Sequence, residues 1–228
     1  MIIEGGNIAD WDKKGEALPH RSMGEVHNDI SQFEESLRHK EMYLKMSTGL
    51  EDSAEEQRAL YLLGQSYQRI AITDALEDRR KSFIKALDYY EKSLNAVKGI
   101  PARDLAKGER EVMRARCLRN LASINWHLGN KELFNKYFEK ARDALSFDDG
   151  KRQFEDLHGL YDDAANLLLG GDNSDLKLAD TYSKISVEKA QRVHGQNEKS
   201  CQYFSLVTRS KVQIVKEEFH LLRTPHYG

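Results

Sequence analysis

His158 and Asp162 stand four residues apart, a spacing that puts two side chains on one face of a helix. There a carboxylate can orient an imidazole as a general base. Glu35 and His39 repeat the spacing. Such pairs are common on helix surfaces, and the chain contains none of the GxGxxG, GxxxxGK, GxSxG or HExxH patterns that mark nucleotide, acyl-transfer or zinc chemistry. Its two cysteines, Cys117 and Cys201, lie far apart with no CxxC or metal-ligand spacing, and read as buried thiols of a reducing compartment. The expectation is a protein that is not an enzyme and needs no cofactor and no metal.

Recognition is better served than catalysis. Arg116, Arg119, Asn120 and Ser123 share one helical segment, with Arg114 nearby. Arg58, Tyr61, Gln65 and Gln68 form a similar polar run upstream, and His158, Tyr161, Asp162 and Asn166 another downstream. Trp126 and the Tyr89-Tyr90 pair suit either the lining of a groove or packing between helices. If one helix of each pair in a stack faces inward, these runs line a single concave surface. Hydrogen-bonding and charged groups in that arrangement suit an extended peptide, with Glu155, Asp156, Asp162 and Asp163 available to a basic one.

The elements that position these residues are helices. Leu60, Leu63, Tyr67 and Ile70 recur at steps of three and four, as do Phe83, Leu87, Tyr90, Leu94 and Val97. Punctuation separates the helices: Gly99-Ile-Pro101, Lys107-Gly108, Leu128-Gly129-Asn130, Asp148-Asp149-Gly150 and Gly170-Gly171-Asp172-Asn173-Ser174. Gly129 suits the left-handed residue that ends a helix, Glu109 and Glu111 suit a helix start, and Ser174 an N-cap. Residues 1–18, with Gly5, Gly6 and Gly15 among charges, read as a loose tail.

The helices repeat in pairs. Gly64 and Tyr67 are answered by Ala86, Tyr90 and Ser93; Leu118, Leu121 and Ala122 by Phe134, Phe138 and Ala141; Leu157, Leu160 and Ala164 by Ala179, Ser183 and Ser186. Met23-Gly24 with Ser36, Lys40 and Tyr43 looks like a degenerate first unit. Small residues let paired helices cross closely, and aromatics fill the space between units. This is the pattern of an all-α, tetratricopeptide-like right-handed superhelix of antiparallel helix pairs. It is expected over residues 19–223, with a capping helix over about 197–223. A charged insertion from Ile72 to Arg80 lengthens both helices of the second pair or forms a loop.

Composition narrows the partners. Lys and Arg number 35 against 37 Asp and Glu, a net charge of −2, so no global basic field attracts nucleic acid and no direct nucleic-acid binding is expected. Only 3 prolines occur, which permits long helices. No run approaches the roughly 18 apolar residues of a membrane span, and the N-terminus lacks the form of a secretory signal. The expectation is no membrane association and a nuclear or cytoplasmic setting.

One stretch is more specific than the repeat. Leu105-Ala-Lys-Gly-Glu-Arg-Glu-Val-Met-Arg-Ala-Arg-Cys-Leu-Arg-Asn-Leu121, followed by Phe134-Asn-Lys-Tyr-Phe-Glu-Lys-Ala141 and Phe154-Glu-Asp-Leu157 and preceded by Tyr90-Glu-Lys-Ser-Leu94, resembles the tetratricopeptide region of the Tonsoku-like proteins. The resemblance covers roughly residues 20–195 and is strongest from 83 to 157. It implies a nuclear protein of replication forks and recombination-dependent repair that binds newly deposited histones. It further implies that the helical-repeat region reads the tail of the replication-type histone three. The 228 residues are expected to hold the helix-pair array and not the family's ankyrin and leucine-rich regions, so histone-three tail binding, rather than histone-four reading or the large repair partner, is what the resemblance supports here. On these grounds the expected binding residues are Tyr61, Gln65, Gln68, Arg116, Arg119, Asn120, Ser123, Trp126, His158, Tyr161, Asp162 and Asn166, with other repair proteins as further partners. A generic helical-repeat adaptor for an acidic or C-terminal peptide is the alternative, motivated by Arg116, Arg119 and Asn120.

Overall fold

Each helical period of the sequence is a helix in the computed structural model, which describes residues 8–73, 76–106, 108–146, 151–170, 173–195 and 197–221. Among these residues the regular secondary structure is helical, with no strand. It divides into two compact units, Met1–Ile124 and Asn125–Gly228. The helix-pair, tetratricopeptide-like class read from the repeats is the class observed.

The first unit comprises α1 (Ile8–Asp29), α2 (Phe33–Gly49), α3 (Ser53–Thr73), α4 (Leu76–Gly99) and, after a short 3-10 turn at Ala102–Asp104, α5 (Glu109–His127) as far as Ile124. α2 packs on α1 and α3, and α3 on α4. The crossings are set by two glycines. A Cβ on Gly64 would lie 2.9 Å from the Tyr90 ring, and one on Gly24 would lie 2.7 Å from Lys40 Cγ. Only the missing side chain lets α3 approach α4, and α1 approach α2, so closely. Tyr43 fills the centre with Ala17, Ala59 and Leu62. Arg110 reaches back from α5 to the carbonyls of Val97 (3.0 Å) and Ile100 (2.6 Å). It thereby satisfies acceptors that the end of α4 leaves open.

The second unit contains α6 (Lys131–Leu145), α7 (Lys151–Leu168), α8 (Asn173–Ala190) and α9 (Glu198–Leu221). Gly129 turns the chain with φ +79°, and Asn130 caps α6 by accepting from the Leu133 amide at 3.1 Å. Phe138 of α6, Tyr161 of α7 and Tyr182 of α8 form one aromatic cluster, with Phe138 and Tyr182 stacked at 4.7 Å and Tyr161 edge-on to both. α9 packs on α7 and α8. Asp180 of α8 fastens it through Arg209, and through Lys216 at 3.1 Å.

Two boundaries differ from the sequence expectation, and the charged insertion takes the first of its two expected forms. The stretch 1–18 read as a tail is helical from Ile8, and residues 1–7 lie outside the described residues. α8 begins at Asn173, so Ser174 sits inside the first turn and not at its cap. The charged insertion lengthens both α3 and α4, which run to Thr73 and from Leu76. The break at Asp148-Asp149-Gly150 lies outside the described residues, as does the Gly171-Asp172 part of the next one.

Candidate functional site

Helices α1 to α5 of the first unit enclose a pocket of about 440 Å³. α1 contributes Glu25, Asn28 and Asp29, and α2 contributes Lys40. α3 supplies Leu62, Gln65, Gln68, Arg69 and Ile72, α4 supplies Tyr90 and α5 Asn120. The volume falls in the range of ordinary ligand sites, and polar groups converge on an otherwise mixed wall.

Lys40 dominates its chemistry. The side chain is 1% exposed, held flat against Gly24, and Nζ donates to Ser66 Oγ at 2.7 Å. Ser66 in turn donates to Asn28 Oδ1 at 3.2 Å and lies 3.2 Å from Ser36 Oγ, whose proton goes to the Gly24 carbonyl at 2.8 Å. Among the described residues Ser66 is the one acceptor of the lysine's three N–H groups, and no carboxylate forms an ion pair with it. Burial lowers the Lys40 pKa to about 8; the positive charge of Arg69 acts in the same direction, while Glu25 and Asp29 oppose it. Asp29 is held by Arg69 at 2.9 Å.

The opposite wall is built from amides and tyrosines. Tyr90 is fully buried, and its hydroxyl donates to Gln68 Oε1 at 2.9 Å. Gln68 Nε2 donates to Ser123 Oγ at 3.3 Å, and Asn120 Nδ2 donates to the Tyr61 hydroxyl at 3.0 Å. These bonds fix the orientation of Gln68 and Asn120 across three helices. Gln65 makes no side-chain hydrogen bond among the described residues. Beneath them Gln57 and Ser93 bond each other and the Cys117 thiol. Burial pushes that thiol up to about 11, so it is protonated and inert at neutral pH.

Seven of the twelve residues expected to bind a partner lie in this unit. Gln65, Gln68 and Asn120 line the pocket; Tyr61 and Ser123 hold Asn120 and Gln68 in place. Arg116 is exposed and Arg119 half-buried on α5, and both interact within the protein. The other five lie in the second unit. Trp126 packs edge-on against Phe134 at 5.2 Å, with Lys131 Nζ 5.5 Å from its ring centre. Tyr161 is buried in the aromatic cluster. His158 and Asp162 do share a face, but the residue between them is Ser186. Its Oγ lies 2.9 Å from His158 Nδ1 and donates to Asp162 Oδ1 at 3.3 Å. Asn166 donates to Asp162 Oδ2 at 3.3 Å and to Thr208 Oγ1 at 2.8 Å. The set ties α7 to α8 and α9, and Ser186 is fully buried. A serine that sits between histidine and aspartate lacks the order of a nucleophile activated by an oriented base.

Lys40 and Glu25 were not among the expected binding residues. Lys40 stood in the repeat pattern as a position of the degenerate first unit, and its burial depends on Gly24 and Ser66, both distant in sequence. Beside the pocket, His20 Nδ1 meets His39 Nδ1 at 2.8 Å and His27 stacks on His39 with centroids 5.5 Å apart. Among the described residues no group of three or more His, Cys, Asp or Glu side chains could hold a metal ion, and no helix is long and apolar enough to cross a membrane.

Comparison with known proteins points one way. No family model matches the chain. The Tonsoku-like protein of Bos taurus is 28% identical over 134 residues, 57% of this chain and 9% of its own length. That of Mus musculus is 31% identical over 130 residues, with the same 57% and 9% coverage. That of Drosophila melanogaster is 24% identical over 213 residues, 89% of this chain and 14% of its own. The chain is a distant relative of the Tonsoku-like proteins. It spans 9% to 14% of the length of the curated relatives it matches. The Drosophila match, at 89% of the chain, takes in most of both units. The relationship agrees with the resemblance read from Leu105 to Leu121.

Proposed function

We propose that this chain is a non-catalytic, histone-binding scaffold that holds the tail of replication-type histone three in replication-coupled chromatin maintenance and DNA repair, and that it works in the nucleus. The observation that carries the reading is the pocket of the first unit. It gathers Gln65, Gln68 and Asn120, three residues whose placement suited an extended peptide, with a buried amine and two carboxylates. Amides offer a peptide main chain both donors and acceptors, and Glu25 and Asp29 favour a basic sequence over an acidic one. Kinship with the Tonsoku-like proteins supports the choice of a histone as that peptide.

Isothermal titration calorimetry with tail peptides of the replication-type and replacement-type histone three tests the proposal. Tighter binding of the replication-type peptide is expected, and equal or undetectable binding of both overturns it. Lys40 and Arg69 in the same pocket favour a second reading, an adaptor for an acidic or C-terminal peptide. On that reading affinity falls strongly when the peptide's terminal carboxylate is amidated.

A further inference from the structure

Two helices turn the usual amphipathic order inside out. α1 packs inward with Ala17, Gly24 and Asn28, and α9 with Cys201, Ser205, Thr208 and Val212. Their large apolar side chains face outward instead. On α1 Leu18, Met23, Val26 and Ile30 are 46% to 59% exposed, and on α9 Tyr203, Phe204, Leu206 and Ile214 are 55% to 64% exposed. Ile30 follows the last residue of α1, and its amide still bonds the Val26 carbonyl at 3.1 Å, so it stays in helical phase. At about 100° per residue each set falls on one side of its helix. Each offers roughly 400 Å² of apolar surface, a patch size that marks a contact on a folded protein.

The charges beside the two stripes differ in sign. Exposed Glu16 and Asp29 border the α1 stripe thirteen residues apart, and exposed Lys199 and Lys211 border the α9 stripe twelve apart. At the helical rise these pairs span about 20 and about 18 Å. With the two helices side by side and parallel, each acid therefore meets a base. Met23, Val26 and Ile30 then lie along Leu206, Ser210 and Ile214. Glu217 and Glu218 fall beyond the end of α1 in this register, and Asp29 keeps Arg69 as a partner within its own copy.

We propose that copies of this chain associate head to tail, the outer face of α9 of one copy packing on the outer face of α1 of the next. Pairing through α1 alone would set acid against acid, and pairing through α9 alone would leave the α1 stripe bare. The contact between unlike faces covers both. Its apolar area of roughly 800 Å², at the usual apolar share of about 60%, belongs to an interface of about 1,300 Å² in total, near the lower bound of stable complexes. Micromolar, concentration-dependent association follows. Because the two faces differ, a copy bound through one still presents the other, and the assembly grows past two copies or closes into a ring.

Sedimentation equilibrium of the full chain, from about 5 to about 500 µM, tests the proposal. The wild-type mass should rise with concentration from 26.2 kDa to more than twice that value. Val26→Asp spoils the α1 face and Ile214→Asp the α9 face. Both positions are more than half exposed, so the fold should survive, as far-UV circular dichroism would verify. If Val26→Asp does not fold, Met23→Lys takes its place. Each variant alone should stay at 26.2 kDa, its self-association weakened about a hundredfold. Mixed in equal amounts they should form a one-to-one dimer and nothing larger, because Val26→Asp keeps a sound α9 face and Ile214→Asp a sound α1 face. Glu16→Lys should weaken the wild-type association about two- to fivefold, and adding Lys199→Glu to the same chain should restore it. A wild type that stays at 26.2 kDa across the range overturns the proposal and leaves these faces to a different partner. A single variant that still dimerises overturns it too, since it shows a two-fold contact through the other helix alone. A mixture that forms no dimer does the same.

Discussion

Replacing Lys40 by methionine should make the free protein more stable. The lysine pKa is lowered from 10.5 to about 8, chiefly by burial. At about 1.4 kcal/mol per unit, keeping the charge in place costs the folded state about 3 kcal/mol. Methionine has a similar length and flexibility and can lie along Gly24 as the lysine stem does. It removes the hydrogen bond to Ser66, which retains Asn28 and Ser36 as partners, a loss of about 1–2 kcal/mol. The net expectation at pH 7 is a gain of about 1–2 kcal/mol, measured as a higher midpoint in urea with an unchanged slope. The pH dependence supplies an independent sign. Between pH 8 and about 10.4 the unfolded chain keeps a proton on this lysine that the folded chain has lost, so stability rises with pH across that window. Below pH 8 both states are protonated and the contribution is flat. The Lys40→Met protein should lack this rise relative to wild type. A variant that is 2 kcal/mol less stable at pH 7 would show Lys40 to be a structural brace and would refute the reasoning.

Three further outcomes follow from the packing and charge of each unit. Gly64→Val should cost about 1–3 kcal/mol in urea unfolding, because its Cβ alone meets the Tyr90 ring at 2.9 Å and the wall of the pocket must shift. His39 has its pKa lowered by burial, with Arg38 and the neighbouring His20 and His27 adding to the effect. The unfolded chain therefore takes up a proton first as pH falls below about 6.5, and stability declines through that window. His39→Gln should flatten this limb in pH-dependent thermal melts. Although partial burial opposes it, hydrogen bonds from Arg209, Lys184 and Lys216 hold the Asp180 carboxyl well below the usual range, so its contribution is present at neutral pH and is lost as pH falls below about 4. Asp180→Asn should cost about 1 kcal/mol at pH 7, seen by calorimetric melting, and should remove that acid limb.

The helix-pair order was legible because its signals are local. The steps of three and four through Leu60 to Ile70 and Phe83 to Val97, and the turn at Gly129, depend on near neighbours only. The small-residue positions were legible for the same reason, as Gly64 opposite Tyr90 illustrates. Helix starts were harder. Ser174 is a good capping residue, yet α8 already includes Asn173, and the glycines among residues 1–18 did not keep α1 from beginning at Ile8. The site was legible in part. Gln65, Gln68 and Asn120 could be placed by helical phase, but Lys40 looked like one polar residue among many. Its character arises from contacts with Gly24 and Ser66 on two other helices, which no periodicity encodes. His158 and Asp162 were correctly placed on one face, while Ser186, 28 residues from His158, decides what that face does.

The central claim is that the first unit's pocket is where a partner peptide sits. Amide chemical-shift mapping of the isotopically labelled full chain, titrated with the replication-type histone-three tail peptide, tests it most directly. The account predicts saturable shifts centred on Glu25, Gln65, Gln68 and Asn120, reduced by Lys40→Met. Shifts confined to α7, α8 and α9, or none at saturating peptide, would contradict it.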